Sequence, residues 1–188
     1  VSMFEHFGFH ANPFSDAVNP DFFYETDQHE RAYLRLMATV EQDVSLALLT
    51  GQSGTGKTLL SQLLLKNLDP ARYVPILVLV TPKMSKTAML REILLEAGIE
   101  IPERQCFANT LIGLLSDYII SLHQQGRKLV ILIDECHFLS AESLHTLRTL
   151  SNIEIAEKKL LTCIMLSEPK LLNRLRHPSY EAIRGRIY

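Results

Sequence analysis

The sequence has few cysteines, little net charge and no long apolar run, and each of these shortages excludes a class of protein. Its 188 residues include three cysteines, none in a C-x-x-C pair, so neither a disulfide framework nor a zinc site is expected. The formal net charge is −2 with 21% charged residues, which favours neither a disordered chain nor one that binds nucleic acid over its whole surface. Apolar stretches such as Leu129–Ile133 are far too short to span a bilayer, and Val1–Ala11 has no signal-peptide pattern. We therefore expect a cytoplasmic protein with reduced thiols.

The chain instead contains an alternation of short apolar runs and amphipathic segments. Its 47% apolar content suits one globular domain. Four runs are predicted as buried strands: Val44–Thr50, Val74–Val80, Leu129–Ile133 and Lys159–Leu166. Helices are predicted over Gln28–Asp43, Leu59–Leu68, Ser85–Ala97, Asn109–Gln125 and from a Ser140 cap to Ile153. Strands that alternate with helices predict an α/β fold, a parallel sheet covered on both faces.

The first predicted helix has an apolar face, and the tail changes character along its length. Leu34, Met37 and Val40 are predicted to lie on one face of that helix. The tail, Glu168–Tyr188, is predicted as helical and then extended. No internal repeat interrupts this organisation.

A glycine-rich motif joins the first predicted strand to the next helix. The segment reads G-Q-S-G-T-G-K-T and matches G-x-x-x-x-G-K-[ST] in full, which chance would place in a chain of this length in about 1% of cases. Its residues are Gly51, Gln52, Ser53, Gly54, Thr55, Gly56, Lys57 and Thr58. Glycines let backbone N–H groups surround an anion, and the following helix adds its positive end. The motif predicts a phosphate loop in which Lys57 reaches the β- and γ-phosphates and Thr58 binds Mg²⁺.

Two acidic residues follow the third predicted strand. Asp134 and Glu135 come directly after the apolar run K-L-V-I-L-I, and ligands of such sheets bind at the carboxyl ends of the strands. Side chains of adjacent residues in an extended segment diverge, so we assign them separate roles. Asp134 is predicted to hold Mg²⁺ and Glu135 to polarise the attacking water. The structural alternative is that one or both acids cap the next helix.

The chain resembles AAA+ ATPases of the general secretion pathway protein A type over nearly its whole length. The leader motif F-G-x-x-x-N-P-F stands at residues 7–14, N-P-D-F-F-Y at 19–24 resembles D-P-x-F-x-Y, and a histidine (His29) follows. The family's G-Q-P-E-L and Q-R-I motifs correspond to S-E-P-K-L at residues 167–171 and G-R-I at 185–187. Related AAA+ ATPases of transposition systems share the leader and loop motifs. The resemblance implies a P-loop AAA+ three-layer sandwich with ATP and Mg²⁺ as ligands.

The resemblance also implies roles for residues outside the loop. Leader residues would line the adenine pocket: Asn12, Pro13, Phe14 and Tyr24. Glu168 replaces the family's glutamine and would repel phosphate, so Ser167 becomes the candidate γ-phosphate sensor. Arg186, with Arg184 as the alternative, would reach into a neighbouring subunit's site, which implies a homo-oligomer. Residues 1–28 would form the leader and 29–188 the ATPase core, with a further strand and a helical lid expected after Tyr188.

Several functions remain open at this point. The resemblance favours an ATPase that powers or regulates assembly of a secretion or pilus machine, in the cytoplasm or as the cytoplasmic part of an inner-membrane-associated protein. An ATP-gated, duplex-DNA-binding regulator of transposition is the alternative, because Arg174, Arg176, Arg184 and Arg186 form a basic tail. The string D-E-C-H also matches a DExH helicase, but the expected S-A-T motif is replaced by S-E-P. A scaffold with an inactive site is disfavoured by the intact loop and acid pair.

Overall fold

A four-stranded parallel sheet forms the centre of the molecule. The computed structural model describes residues 6–9, 26–102, 107–156 and 158–188. The strands follow the order β1-β6-β3-β2, and all neighbours are parallel. Their bounds are β1 Leu46–Thr50, β2 Tyr73–Leu79, β3 Lys128–Asp134 and β6 Leu161–Ser167. The four predicted strands are thus confirmed, and every residue of the two central strands is buried, which is why those strands have continuous apolar sequences.

Seven α-helices lie in the described part of the chain. They are α1 Asp27–Glu41, α2 Lys57–Asn67, α3 Lys86–Glu96, α4 Ala108–Gln124, α5 Ala141–Leu150, α6 Lys170–Leu175 and α7 Glu181–Arg184. Single 3-10 turns occupy Cys136–Phe138 and Pro178–Tyr180. Ser85 and Ser140 cap α3 and α5, since each hydroxyl accepts an N–H three residues on. None of the helices in the described ranges combines the length and apolar character that crossing a bilayer requires.

Helices cover both faces of the sheet, so the predicted three-layer arrangement is confirmed. On one face, β3 contributes Leu129, Ile131 and Ile133 to a core with α3, α4 and α5. On the other, Val130 and Leu132 pack against α1 and α2. This division follows the two-residue side-chain period of a strand.

One detail of α1 was predicted wrongly. Leu36 and Val40 face the sheet, whereas Leu34 is 57% exposed. Residues 34 and 36 are two positions apart, about 200° around a helix, so they cannot share a face. Apolar character alone favoured Leu34, but burial follows the helix's orientation on the sheet.

The segment between α5 and the last central strand contains a small hairpin that the sequence pattern did not predict. Strands β4 (Glu154–Ile155) and β5 (Lys158–Lys159) pair antiparallel. Both are exposed or half-buried, so no alternation of apolar and polar residues identifies them.

The tail is helical over Lys170–Leu175 and Glu181–Arg184, as predicted, and residues 185–186 then form a turn rather than the predicted extended segment. At its end Tyr188 pairs with the outer edge of β1: the Tyr188 N–H donates to Leu46 O at 3.1 Å, and the Leu48 N–H donates to Tyr188 O at 3.2 Å.

Candidate active site

The phosphate loop, residues 51–58, connects the end of β1 to the start of α2 in a conformation that depends on its glycines. Gly54 and Gly56 have φ of 77° and 82°, a left-handed conformation that disfavours other residues. At Gly51, a Cβ atom would lie 2.6 Å from Thr55 Oγ1. Gly56 is also the N-cap of α2, and no side chain caps that helix. The first N–H groups of α2 are therefore available to an anion.

Lys57 is held over the loop. Its Nζ donates hydrogen bonds to Gly51 O at 2.9 Å and Gln52 O at 2.8 Å. The residue is 9% exposed, so its ammonium group is confined to the loop rather than extended into solvent. A cation at this position faces whatever anion the loop binds.

Thr58 and Asp134 meet although 76 residues separate them in sequence. Thr58 Oγ1 donates to Asp134 Oδ2 at 2.7 Å, and the Glu135 N–H donates to the second oxygen, Oδ1, at 2.8 Å. Asp134 is 2% exposed, so these two donors, rather than solvent, fix the orientation of its carboxylate.

This oxygen pair fits Mg²⁺. Adjacent ligands in an octahedral magnesium shell lie about 2.9 Å apart, given metal–oxygen distances of 2.0–2.1 Å, and the hydroxyl and carboxylate oxygens are separated by 2.7 Å. Both are hard donors of the kind Mg²⁺ prefers, and phosphate and water oxygens would complete the shell. Thr58 and Asp134 are thus the residues that would hold the metal.

Glu135 lies just beyond β3 and faces a different group. It has φ 59° and ψ 33°, a left-handed conformation, so the prediction that Glu135 belongs to an extended segment was wrong. A non-glycine residue in this conformation costs about 1–2 kcal/mol, and such strain is common at functional sites. Its Oε2 lies 3.2 Å from Nε2 of His137, and its side chain is 37% exposed. The left-handed turn directs Glu135 to His137 while Asp134 faces Thr58.

The end of β6 lies beside the phosphate loop. The Gly51 N–H donates to Ser167 O at 3.1 Å, which ties the two segments together. Ser167 is fully buried, and its hydroxyl donates to Glu168 O at 2.9 Å. The Glu168 carboxylate is 3.0 Å from Lys170 Nζ, and this contact lowers the pKa of Glu168. Glu168 is therefore ionised at neutral pH and paired with a cation.

His137 connects the two acidic segments. Its side chain is 1% exposed, and burial first, then Lys170, lowers its pKa. Glu135, His137 and Glu168 each offer a ligand atom within 4.8 Å of the others, which could hold a cation. However, the Glu168 N–H donates to the imidazole at 3.5 Å, and the Glu168 carboxylate is paired with Lys170, so hydrogen bonding accounts for the arrangement.

A cavity of about 600 Å³ opens next to the phosphate loop. It lies between the start of α1, the end of β1 and the first turn of α2, and its lining includes Gln28, His29, Leu49, Gly51, Thr55 and Lys57. The size and position suit a nucleoside attached to phosphates in the loop. His29 Nε2 lies 2.9 Å from Thr55 O, and its Nδ1 accepts from Thr26 N–H at 3.3 Å. This histidine thus fastens the start of α1 to the loop.

The remaining predicted residues lie elsewhere. Asn12, Pro13, Phe14 and Tyr24 are outside the described residues. Arg186 is exposed and, after the closer Lys159, helps to lower the pKa of Glu154 in the hairpin. Arg184 donates to Arg176 O at 3.4 Å. These arginines are available to another molecule.

Arg174 does not belong with that exposed set. Its guanidinium donates to His137 O and Leu139 O, both at 2.9 Å. These bonds stabilise the turn after Glu135. Arg174 is therefore not available to another molecule, and three of the four arginines of the predicted basic tail remain exposed.

The sequence patterns assigned no role to two histidines at the site. His29 is part of the leader motif, and its place three residues after Thr26 fits a capping box. His137 stands two residues after Glu135, where the D-E-C-H string drew attention to it. Their contacts with Thr55 and Glu168 depend on the fold and leave no local pattern.

Comparisons with known proteins agree with this fold. A protein-family model described as an AAA domain matches residues 40–175. The general secretion pathway protein A of Aeromonas hydrophila is 31% identical over 182 residues, which are 96% of this chain and 32% of that protein. The resemblance predicted from the motifs is therefore confirmed, and the chain spans about a third of that relative.

Solved structures share the fold. The ORC2 protein of Aeropyrum pernix, solved in ADPNP–ADP complexes, aligns with a TM-score of 0.68 and 17% identity over 94% of this chain and 49% of that one. Cdc6p of Pyrobaculum aerophilum aligns with a TM-score of 0.65 and 19% identity, over 93% of this chain and 47% of that one. The A. pernix ORC1 protein, solved in complex with DNA, aligns with a TM-score of 0.64 and 21% identity, over 87% of this chain and 45% of that one.

Proposed function

The chain belongs to the AAA domain family, and we propose that it binds Mg-ATP in the phosphate loop and hydrolyses it to ADP and phosphate. The single observation that carries this proposal is the 2.7 Å contact between Thr58 Oγ1 and Asp134 Oδ2. It joins the phosphate loop to the acid pair, as a shared metal ion requires.

ATP binding would use the loop as an anion site. N–H groups of the loop and of the first turn of α2 would surround the β-phosphate, and Lys57 would turn from the loop carbonyls to the γ-phosphate. Thr58 and Asp134 would hold Mg²⁺, which when bound neutralises charge on the phosphate oxygens.

Hydrolysis would use Glu135 as the base. Its carboxylate would accept a proton from water while the water oxygen forms a bond to the γ-phosphorus. The bond from that phosphorus to the bridging oxygen breaks, and the electron pair leaves with ADP. Glu135 is 37% exposed at its side chain, so water can reach it.

The experiment is steady-state phosphate release from ATP by the wild-type chain and by Glu135→Gln. An amide cannot accept the proton, so we expect turnover to fall about a hundredfold or more while ATP binding persists. EDTA should abolish wild-type turnover. Glu92→Gln, an exposed acid on α3, is the matched control and should behave as wild type. Wild-type turnover by Glu135→Gln would refute the role of Glu135.

The wider assignments follow from the same proposal. Residues 1–28 would form a leader whose Asn12, Pro13, Phe14 and Tyr24 contact adenine beside His29, and 29–188 would form the core. Ser167 would sense the γ-phosphate. Arg186 would complete the site of a neighbouring copy. The similarity to general secretion pathway protein A supports a role in powering or regulating a secretion or pilus-assembly machine.

A second candidate is ATP-gated binding of duplex DNA. The exposed cations Arg176, Arg184 and Arg186 on the tail favour it, and a solved relative in fold is in complex with DNA. Phosphate contacts would make binding fall steeply with salt. Filter binding of duplex DNA at two salt concentrations, with and without ATP, tests it, and Arg176→Ala with Arg184→Ala should weaken any binding. Salt-independent or undetectable binding would exclude this function.

A further inference from the structure

We propose that His137 is a positioning residue that holds Glu135 in place and links it to the segment following β6. The inference rests on the proposed hydrolysis and deepens it. It concerns a side chain that touches neither phosphate nor metal in the scheme above and acts only through Glu135.

The geometry places His137 between the two segments. Nε2 lies 3.2 Å from Glu135 Oε2, and Nδ1 lies 3.5 Å from the Glu168 backbone nitrogen. The imidazole is almost completely buried. It therefore has little freedom to leave these two partners for solvent.

The two contacts fix one tautomer. A backbone N–H can only donate, so Nδ1 must be the acceptor from Glu168, and a neutral imidazole then carries its proton on Nε2. That proton sits on the nitrogen that lies 3.2 Å from Glu135 Oε2, within reach of a carboxylate that accepts when ionised. One neutral histidine can therefore interact with both partners, and its contact with one carboxylate oxygen of Glu135 leaves the other oxygen for water.

The backbone of His137 is also fixed. Arg174 donates to His137 O and Leu139 O, each at 2.9 Å, and the Phe138 ring centroid is 4.2 Å from the imidazole centroid. Arg174 belongs to α6, which follows Glu168 directly. Movement at the end of β6 would therefore reach Glu135 through both the imidazole and these hydrogen bonds of Arg174.

The consequence is a coupling between the proposed γ-phosphate sensor and the base. Ser167 adjoins the phosphate loop, and the next residue, Glu168, binds His137 through its N–H. A shift of Ser167 on nucleotide binding would be passed to Glu135. Loss of His137 should leave binding intact and misplace the base, because orientation of a reacting group affects rate more than affinity.

The test compares three variants by steady-state ATP turnover and by calorimetric ATP binding. His137→Phe keeps a ring but has no donor or acceptor, and we expect kcat to fall about tenfold or more with KM within about twofold. His137→Gln has an amide N–H for Glu135 and a carbonyl for the Glu168 N–H, and should recover most of kcat. His123→Phe, in the last turn of α4 near the start of β3 and away from the site, is the matched control and should match wild type.

A wild-type kcat in His137→Phe, or no recovery in His137→Gln, would overturn the inference, as would an effect confined to KM. If His137→Phe does not fold by circular dichroism, His137→Met replaces it with the same expectation. Failure of the proposed function looks different: the wild type would then turn over no faster than Glu135→Gln. Wild-type turnover that needs Glu135 but not His137 would reject the coupling alone.

Discussion

The hydroxyl of Thr58 has a defined partner and a defined task. It donates to Asp134 across the sheet, and the proposed function gives both oxygens to Mg²⁺. A residue at this position needs only a hydroxyl at the γ position, which serine also provides.

Replacement of Thr58 should separate metal-dependent from metal-independent binding. Thr58→Ala should lose most of the gain in ATP affinity that Mg²⁺ provides, about tenfold, as expected when one ligand or its support is removed. Thr58→Ser should keep it. Calorimetric titration of ATP with Mg²⁺ and with EDTA measures the difference, and an unchanged magnesium effect in Thr58→Ala would contradict the assignment.

At the level of secondary structure, α5 begins soon after the acid pair and depends on its cap. Ser140 Oγ accepts the Ser143 N–H at 3.1 Å and satisfies one of the helix's first four donors. The Cys136–Phe138 turn lies between Glu135 and this cap.

Ser140→Ala should therefore lower the free energy of unfolding by about 1 kcal/mol. Ser116→Ala is the control: its hydroxyl bonds Ile112 O within α4, where removal should change stability by less than about 0.5 kcal/mol. Urea unfolding followed by circular dichroism compares them. Equal effects of the two substitutions would show that the cap contributes nothing specific.

The elements and the phosphate loop could be predicted because their signals are local. A buried strand such as β3 is a continuous apolar run, and Gly51–Thr58 is a contiguous motif. The hairpin of β4 and β5 escaped prediction because each strand has only two residues, exposed or half-buried, and these carry no pattern. The contacts of His137 with Glu168 and Arg174 depend on the end of β6 and on α6, which are distant in sequence. The orientation of α1, and with it the burial of Leu36 rather than Leu34, likewise depends on the sheet.

At the scale of the whole molecule, the exposed arginines are candidates for contact with a second copy. Arg186 follows α7 and is exposed, whereas Arg174 is bound to backbone carbonyls. A guanidinium inserted into a neighbour's site would stabilise charge that develops on the transferred phosphoryl group.

Arg186→Ala should consequently lower turnover per molecule only at concentrations where copies associate. We expect the specific activity of the wild type to rise with protein concentration and that of Arg186→Ala to remain low. At the highest protein concentration the variant should be less active than the wild type by about tenfold or more. Arg184→Ala, altered two residues earlier, serves as the comparison and should follow the wild-type curve. Identical concentration dependence of wild type and Arg186→Ala would remove Arg186 from the site.

The most direct test of the Mg-ATP site is the binding of ATP to Lys57→Ala, measured by calorimetry in the presence of Mg²⁺. The variant removes the lysine cation held over the loop, and loss of its charged hydrogen bonds to phosphate should weaken binding about a hundredfold. Lys66→Ala, exposed at the end of α2, should bind as wild type does. Wild-type affinity in Lys57→Ala would contradict the placement of ATP in this loop.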